Sequence, residues 1–389
     1  MTLIARPAGL DVAVTVNYGS SGQPACIAPG DPQIAAAWVH YANTTRHYGV
    51  RWWEVGNEVY GSWETDQHAL PHDAATYASS FGNYLKLMKA QDPTIRVGIP
   101  VSPGAVDPSG RNWDAYVLAH TQFDYVDLHF YAQQPGKEDD GFLVRDAPGA
   151  FAGILAKLKA ELATAGKPDS PIDIGEIGSV YDKPGKQTVS ITQALFAGQA
   201  LSEMLLAGVR RSTWWLGNGG CGTNGNLSAS LYGWQEFGGY AIFSDGLPTP
   251  PYGGCSNVIE TIPFGTLLPT ARVYQVLSQS GFVTDGERMI GVTVPPNLRS
   301  VRAYAATHGK NFALLLFNLD DQKTVSVPIT IDSVSHGSGI HSLTYGKTQY
   351  DLSRDGTWAG PAAEHTGPWT SPITVTLPPY AVAAYLISR

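Results

Sequence analysis

The sequence predicts an α/β protein: a (β/α)8 barrel of the TIM type that shows six of its eight strands, followed by a C-terminal β-sandwich. Three observations carry that expectation. Over roughly the first 290 residues, short apolar runs rich in β-branched and aromatic residues alternate with longer amphipathic stretches, the pattern of βα units around a parallel sheet. Beyond that point strands follow one another across turns without helices, as in a sandwich. The 389 residues suffice for a barrel of about 250 residues and a further domain of about 100. The expected boundaries are 1–290 for the barrel and 291–389 for the sandwich.

The six strands are DVAVTVNYG (11–19), VRWWEVGNE (50–58), TIRVGIPVS (94–102), FDYVDLHFY (123–131), SPIDIGEIG (170–178) and RRSTWWLGN (210–218). Helix-like segments with an apolar stripe lie between them, at 73–90, 149–166 and 190–208, and a last barrel helix is expected at 270–281. The Gly-, Asn- and aromatic-rich stretch 217–266 is a candidate lid or cleft wall. The sandwich is read from VRAYAATHG, NFALLLFNLD, VSVPITID and the closing SPITVTLPPYAVAAYLIS. A closed barrel needs eight strands, because an open edge leaves backbone groups unpaired. The opening MTLIARPAGL reads as the end of a helix, so two strands are expected upstream of it.

Composition narrows the partners. The formal net charge is −8 with no Lys/Arg-rich run, so neither a nucleic-acid backbone nor an anionic membrane surface is an expected partner. No stretch of about 18 apolar residues appears, so no span is expected. No signal-peptide pattern opens the chain; the compartment is not assigned, and export is expected only if a leader precedes these residues. Cys26, Cys221 and Cys255 lack metal-ligand spacing, so no metal is expected. Cys221 and Cys255 share one Gly-rich segment, where either a loop-closing disulfide or two thiols would fit. No cofactor is expected either: Gly217–Gly222 fits GxGxxG, but the next residues, TNGNLSASLYG, do not open a helix. Pro71 breaks the helical spacing of His68 and His72, and the acidic pairs Asp139-Asp140 and Asp320-Asp321 read as solvated loops.

Chemistry concentrates at strand ends, where barrel active sites sit. Trp52-Trp53-Glu54-Val55-Gly56-Asn57-Glu58 ends an apolar strand in Asn-Glu, and Ile172-Asp173-Ile174-Gly175-Glu176 ends another in a carboxylate. Retaining glycosidases need two carboxyl groups about 5–5.5 Å apart, one to protonate the leaving oxygen and one to attack the anomeric carbon. A lone strand-end Glu is more often a rim ion pair. Here the pair arrives with His129 and Tyr131 at the end of VDLHFY and with Trp214-Trp215 at the end of RSTWW, and a sugar ring needs such polar groups and flat aromatic faces. Glu54, earlier in its strand, reads as a structural, hydrogen-bonded or paired carboxylate. With Glu176 as a second negative charge nearby, Glu58 is expected to titrate above the usual carboxylate range.

At these residues the sequence resembles clan A retaining glycoside hydrolases. VTVNYGS, WVHYAN, YGVRWWEVGNE, DYVDLHFYAQ and IDIGEIG look most like the α-L-arabinofuranosidases of family 51, with family 39 next. The resemblance covers roughly residues 5–290 and makes the visible strands the third to the eighth. It implies Glu58 as acid/base and Glu176 as nucleophile, Asn57 on the sugar 2-hydroxyl, Tyr131 bracing Glu176 with His129 in the same constellation, and Trp215 or Trp214 as a platform. Asn17 and Tyr18, in VTVNYGS, are further substrate-binding candidates. The implied partner is a plant-type carbohydrate, hydrolysed with retention. An endo-β-glucanase or xylanase of the same clan, or a non-catalytic carbohydrate-binding remnant that keeps the aromatic platform without the first two strands, are the alternatives. Two features depart from the family: Ile177-Gly178 follows Glu176 where Trp-Asn or a similar pair is usual, and the second-strand Arg that supports the nucleophile has no counterpart.

Overall fold

A computed structural model describes residues 5, 7–20, 26–246, 262–284, 286–332 and 334–389. By packing, the chain divides into two compact units: Met1–Phe130 with Gly153–Glu176 and Gly208–Thr213, and Tyr131–Ala152 with Ile177–Ala207 and Trp214–Arg389.

All six expected barrel strands form. β1 (Ala13–Val16), β2 (Trp52–Val55), β3 (Arg96–Val101), β4 (Tyr125–Gln133), β5 (Ile172–Val180) and β6 (Arg211–Trp214) make one sheet in sequence order. Its registers are parallel from β1 through β4. After the exposed Arg96, the run Val97–Val101 is buried residue by residue, which is why that part of β3 is apolar and does not alternate.

The helices of the first unit begin where side chains satisfy their open N–H groups. Asp31 caps α1 (Pro32–Val39), accepting from the Gln33 N–H at 2.8 Å with Pro32 at the first helical position. Asp73 caps α2 (Ala74–Gln91) through the Thr76 N–H at 2.9 Å, and Tyr77, Phe81, Tyr84 and Met88 turn one face inward. Asn112 caps α3 (Trp113–His120).

In the second unit α4 (Asp140–Arg145) starts at Asp139, whose carboxylate accepts from the Phe142 N–H at 2.6 Å. Here the expectation of a solvated acidic pair fails for Asp140. It is buried, and accepts from Gln187 and Thr192 side chains, both at 2.9 Å, and from the Tyr232 N–H. Three donors offset the desolvation that burial imposes on a carboxyl group. α5 (Ala147–Thr164) and α6 (Ile191–Ala207) follow, then the two-residue pair β7 (Asn218–Gly219) and β8 (Phe243–Ser244), and α7 (Pro269–Gln279). Cys221 is disulfide-bonded. Cys255 lies outside the described residues, as does the central part of the candidate lid at 247–261.

The C-terminal strands are β9 (Arg288–Ile290), β10 (Val301–His308), β11 (Asn311–Asn318), β12 (Val325–Ile329), β13 (His336–Gly337), β14 (Gly339–Gly346), β15 (Ala362–Thr366), β16 (Trp369–Thr370), β17 (Ile373–Leu377) and β18 (Ala381–Ser388). An antiparallel sheet ordered β15-β14-β18-β11-β10-β9 faces the β12-β17 pair across a core that includes Leu314, Leu316, Val327, Leu377 and Ile387. One short helix, α8 (Lys347–Leu352), interrupts what the sequence suggested was helix-free. The other face of the sheet is covered too. Tyr304 Oη donates to Glu203 Oε1 of α6 at 2.7 Å, and Phe317 lies against α6 and α7 where Gly198 leaves room. Burial on both faces explains why β11 and β18 read as continuous apolar runs.

Candidate active site

The site begins with a forced turn after β2. Gly56 takes φ 84°, and a Cβ there would sit 2.5 Å from Val59 Cγ1 and 3.0 Å from Tyr18 Cβ, so the position is closed to side chains. Glu58 itself adopts φ 40°, a conformation that costs a non-glycine residue of order 1–3 kcal/mol. Such strain persists only where its surroundings hold it, and here three side chains grip the carboxylate. His129 Nδ1 lies 2.8 Å from Oε1, Tyr60 Oη donates to Oε1 at 3.3 Å, and Trp63 Nε1 donates to Oε2 at 2.5 Å.

His129 stands between Glu58, in the turn after β2, and Glu176, which lies within β5 and not at its end as expected, because the strand continues to Val180. Its Nδ1 is also 3.6 Å from Glu176 Oε2, and its Nε2 is 3.3 Å from Asp127 Oδ2. One oxygen of Glu58, one of Glu176 and a ring nitrogen of His129 all lie within 4.8 Å of one another. Gly175, immediately before Glu176, lets Asp127 and His129 approach the β5 backbone: a Cβ there would collide with the Asp127 carboxylate and come within 2.9 Å of His129 Nε2.

Electrostatics corrects one expectation. Burial pushes the Glu58 carboxyl up, but the hydrogen bond and charge of His129 and the donors Trp63 and Tyr60 outweigh it, so Glu58 titrates below the usual carboxylate range. The repulsion between carboxylates expected from the sequence is overridden by the imidazolium between them. His129 in turn is opposed by burial, yet the close contact with Asp127, the hydrogen bond to Glu58 and the charges of Asp127 and Glu176 push it up to about 11.

Beneath them the interior is charged as well. Glu54 accepts from Thr15 Oγ1 at 3.3 Å, in agreement with a hydrogen-bonded structural carboxylate, and burial followed by the Asp127 charge drives its titration well upward. Asp173 is enclosed by Arg210 and by Arg211, whose Nη2 is 2.6 Å away; burial still pushes it up to about 6. The Arg210 guanidinium sits 3.3 Å from the Trp52 ring centroid.

A cavity of about 770 Å³ adjoins Glu58, bordered by Tyr60 and Trp63 and lined by Asn17, Tyr18, Asn57 and Trp38 among others. Asn57 is exposed and donates to Glu64 Oε1 at 2.9 Å, while Asn17 turns back on Ser20. Tyr18 is 2% exposed, stacked on His68 at 4.3 Å and edge-on to Tyr77, so it is a buried cavity wall and offers no open ring face. His68 bonds Asp66 at 2.7 Å, and its helical pairing with His72 is interrupted as expected. In the second unit, Tyr131 lies against Gly178, Trp214 is 7% exposed among Phe196 and Tyr274, and Trp215 is 40% exposed. Of the two tryptophans only Trp215 keeps a surface to offer. Sequence reasoning missed Tyr60, Trp63 and Asp127. The alternation in VDLHFY, which puts residues 127 and 129 on one face of the strand, was the signal for the last.

The fold is that of glycoside hydrolases in which a barrel is joined to a β-sandwich. Solved structures share it across most of the chain. The α-L-arabinofuranosidase from Thermotoga maritima, in its arabinose complex, has a TM-score of 0.66 and 17% identity, covering 99% of this chain and 77% of that one. A monomeric β-xylosidase from Caulobacter crescentus has a TM-score of 0.64 and 16% identity, covering 99% and 82%. A family 44 xyloglucanase from Paenibacillus polymyxa has a TM-score of 0.60 and 11% identity, covering 96% and 74%. No family model matches. Among curated proteins, the chain is 29% identical over 145 residues to the intracellular exo-α-(1→5)-L-arabinofuranosidase of Halalkalibacterium halodurans, 35% of this chain and 27% of that protein. It is 34% identical over 87 residues to the intracellular exo-α-(1→5)-L-arabinofuranosidase 1 of Bacillus subtilis, 22% and 16% respectively. The matched segments thus span about a quarter or less of those relatives.

Proposed function

We propose that this protein is a retaining glycoside hydrolase acting on α-L-arabinofuranosyl groups of plant-type carbohydrates, with Glu58 as acid/base and Glu176 as nucleophile. The observation that carries the reading is the approach of the two carboxylates, whose oxygens come within 4.8 Å. Inverting enzymes leave about 6.5–9.5 Å for a water molecule, whereas retaining enzymes bring the groups to about 5–5.5 Å. The names of the similar curated proteins support the sugar and an exo mode of attack.

In the first step Glu176 attacks the anomeric carbon while a proton passes through Glu58 to the departing oxygen. In the second, water displaces Glu176 and returns a proton to Glu58, so configuration is retained. The cavity bordered by Tyr60 and Trp63 adjoins the proton donor and would receive the leaving group. Its size also admits the endo-acting alternative, a glucanase or xylanase, for which the released products would be oligosaccharides.

Proton NMR of the first product formed from an aryl α-L-arabinofuranoside tests the reading. A retained anomer is expected. An inverted anomer would exclude Glu176 as nucleophile, and turnover of β-glucan or xylan with none of the arabinofuranoside would select the alternative.

A further inference from the structure

Asp127 is 2% exposed, and among the described residues His129 is the one cation within ion-pair distance of it. It lies two residues before His129 in β4, so both side chains share the inward face. The chain of contacts runs from Asp127 Oδ2 to His129 Nε2 at 3.3 Å, then from His129 Nδ1 to Glu58 Oε1 at 2.8 Å. Gly175 keeps the space that this alignment occupies. Resting on the reading of Glu58 as acid/base, we propose that Asp127 is a positioning residue that orients His129 and keeps it protonated between Glu58 and Glu176, so that the Glu58–His129 pair carries the catalytic proton.

The proton inventory balances. As the bond from the anomeric carbon to the leaving oxygen breaks and the bond to Glu176 forms, the proton on His129 Nδ1 moves to Glu58 Oε1 and from there to the leaving oxygen. When water then displaces Glu176, its proton returns through Glu58 to Nδ1. Asp127 stabilises the imidazolium at both ends of the cycle, and an ordinary histidine would be mostly neutral above about pH 6.5. Every neighbouring charge enters this balance. Glu54 on β2 and Glu58 in the turn after it face the ring, the neutral Tyr60 phenol donates to Glu58, Glu176 and Asp173 lie on β5, and Arg211 acts on the group from β6 through Glu54 and Asp173. The acids outnumber the cations around the ring, so removing one of them favours the neutral form.

The imidazole 15N shifts of His129, followed between about pH 5 and about pH 10 in the wild type and in Asp127→Asn, test the proposal. In the wild type both ring nitrogens are expected to stay protonated through that range. In Asp127→Asn the titration is expected to fall by about one to three pH units, and Asp127→Glu should recover much of the shift. A wild-type His129 that is neutral at pH 7, or a folded Asp127→Asn protein with an unchanged titration, overturns the proposal; the first arm decides even if the variant does not fold. The alkaline limb of kcat/KM should move down with the titration. If no glycoside is hydrolysed while the 15N titration shifts as expected, the functional reading fails and the role of Asp127 in holding the histidine stands.

Discussion

Glu58 holds its position at a cost in backbone strain that three hydrogen-bond donors offset. With its titration lowered, Glu58 is mostly ionised at neutral pH, and on the proposed mechanism the proton it delivers comes from His129 beside it. Replacing Glu58 with Gln keeps the size and removes the proton transfer. For a substrate with a poor leaving group, kcat/KM should fall by about 10²–10⁴, the usual worth of general acid catalysis. For an activated aryl leaving group, which needs no proton, the loss should be much smaller. Equal losses on both substrates, measured by initial rates, would show that Glu58 acts in some other way.

At the scale of the element, the strand β5 is shaped by what faces it. Gly175 has ordinary extended surroundings but no room, since a methyl group there meets the Asp127 carboxylate and the His129 ring. Gly175→Ala is therefore expected to destabilise by about 1–3 kcal/mol through overpacking. It should also displace His129 and, if the proposed roles hold in the transition state, lower kcat more than KM changes. Thermal melting together with steady-state kinetics checks both. A variant as stable and as active as the wild type would mean that the strand relaxes, and that the close approach does not hold the site. By contrast, β11 and β18 are constrained on both faces, by the sandwich core and by α6 and α7.

For the whole molecule the buried acids dictate how stability follows pH. Burial and the neighbouring Glu161 raise Asp114 to about 8, burial raises Asp173 to about 6, and burial and the Asp127 charge hold Glu54 well above the usual carboxylate range. A carboxyl whose folded titration lies above its unfolded one binds protons more tightly when folded. Its stabilising contribution is complete below the unfolded value near 4 and is lost as pH rises through the folded value. His129, raised from 6.5 to about 11, works the same way, losing its contribution as pH rises from 6.5 through 11. Glu58, Asp73, Asp92 and Asp320 are lowered, so their contribution is present above about pH 4 and lost in stronger acid. The melting temperature should therefore peak on the mildly acidic side and fall from about pH 5 to about pH 8. Asp114→Asn should flatten that decline and melt higher than the wild type at about pH 8. Scanning calorimetry across the range checks it, and a wild-type melting temperature that rises toward pH 8 would contradict the assignment of buried, protonated acids.

How much was legible beforehand depends on the range of each interaction. The six barrel strands, the helices α2, α5, α6 and α7, and the placement of Glu58 just past β2 were determined by the sequence itself, because periodicity and the Gly-Asn-Glu ending are local patterns; Glu176, expected at a strand end, lies in the middle of β5, which runs on to Val180. The company those residues keep was decided by tertiary structure. His129 meets Glu58 across 71 positions of chain, and that meeting reversed the direction in which Glu58 titrates. Tyr18, a substrate-binding candidate, and Trp214, one of two platform candidates, are both buried, and Asp140 looked solvated but is buried among three donors drawn from 47 to 92 residues away. Local spacing shows which way a side chain points from its own strand or helix. The charge it keeps and the surface it shows depend on neighbours that only the folded chain brings within hydrogen-bond distance.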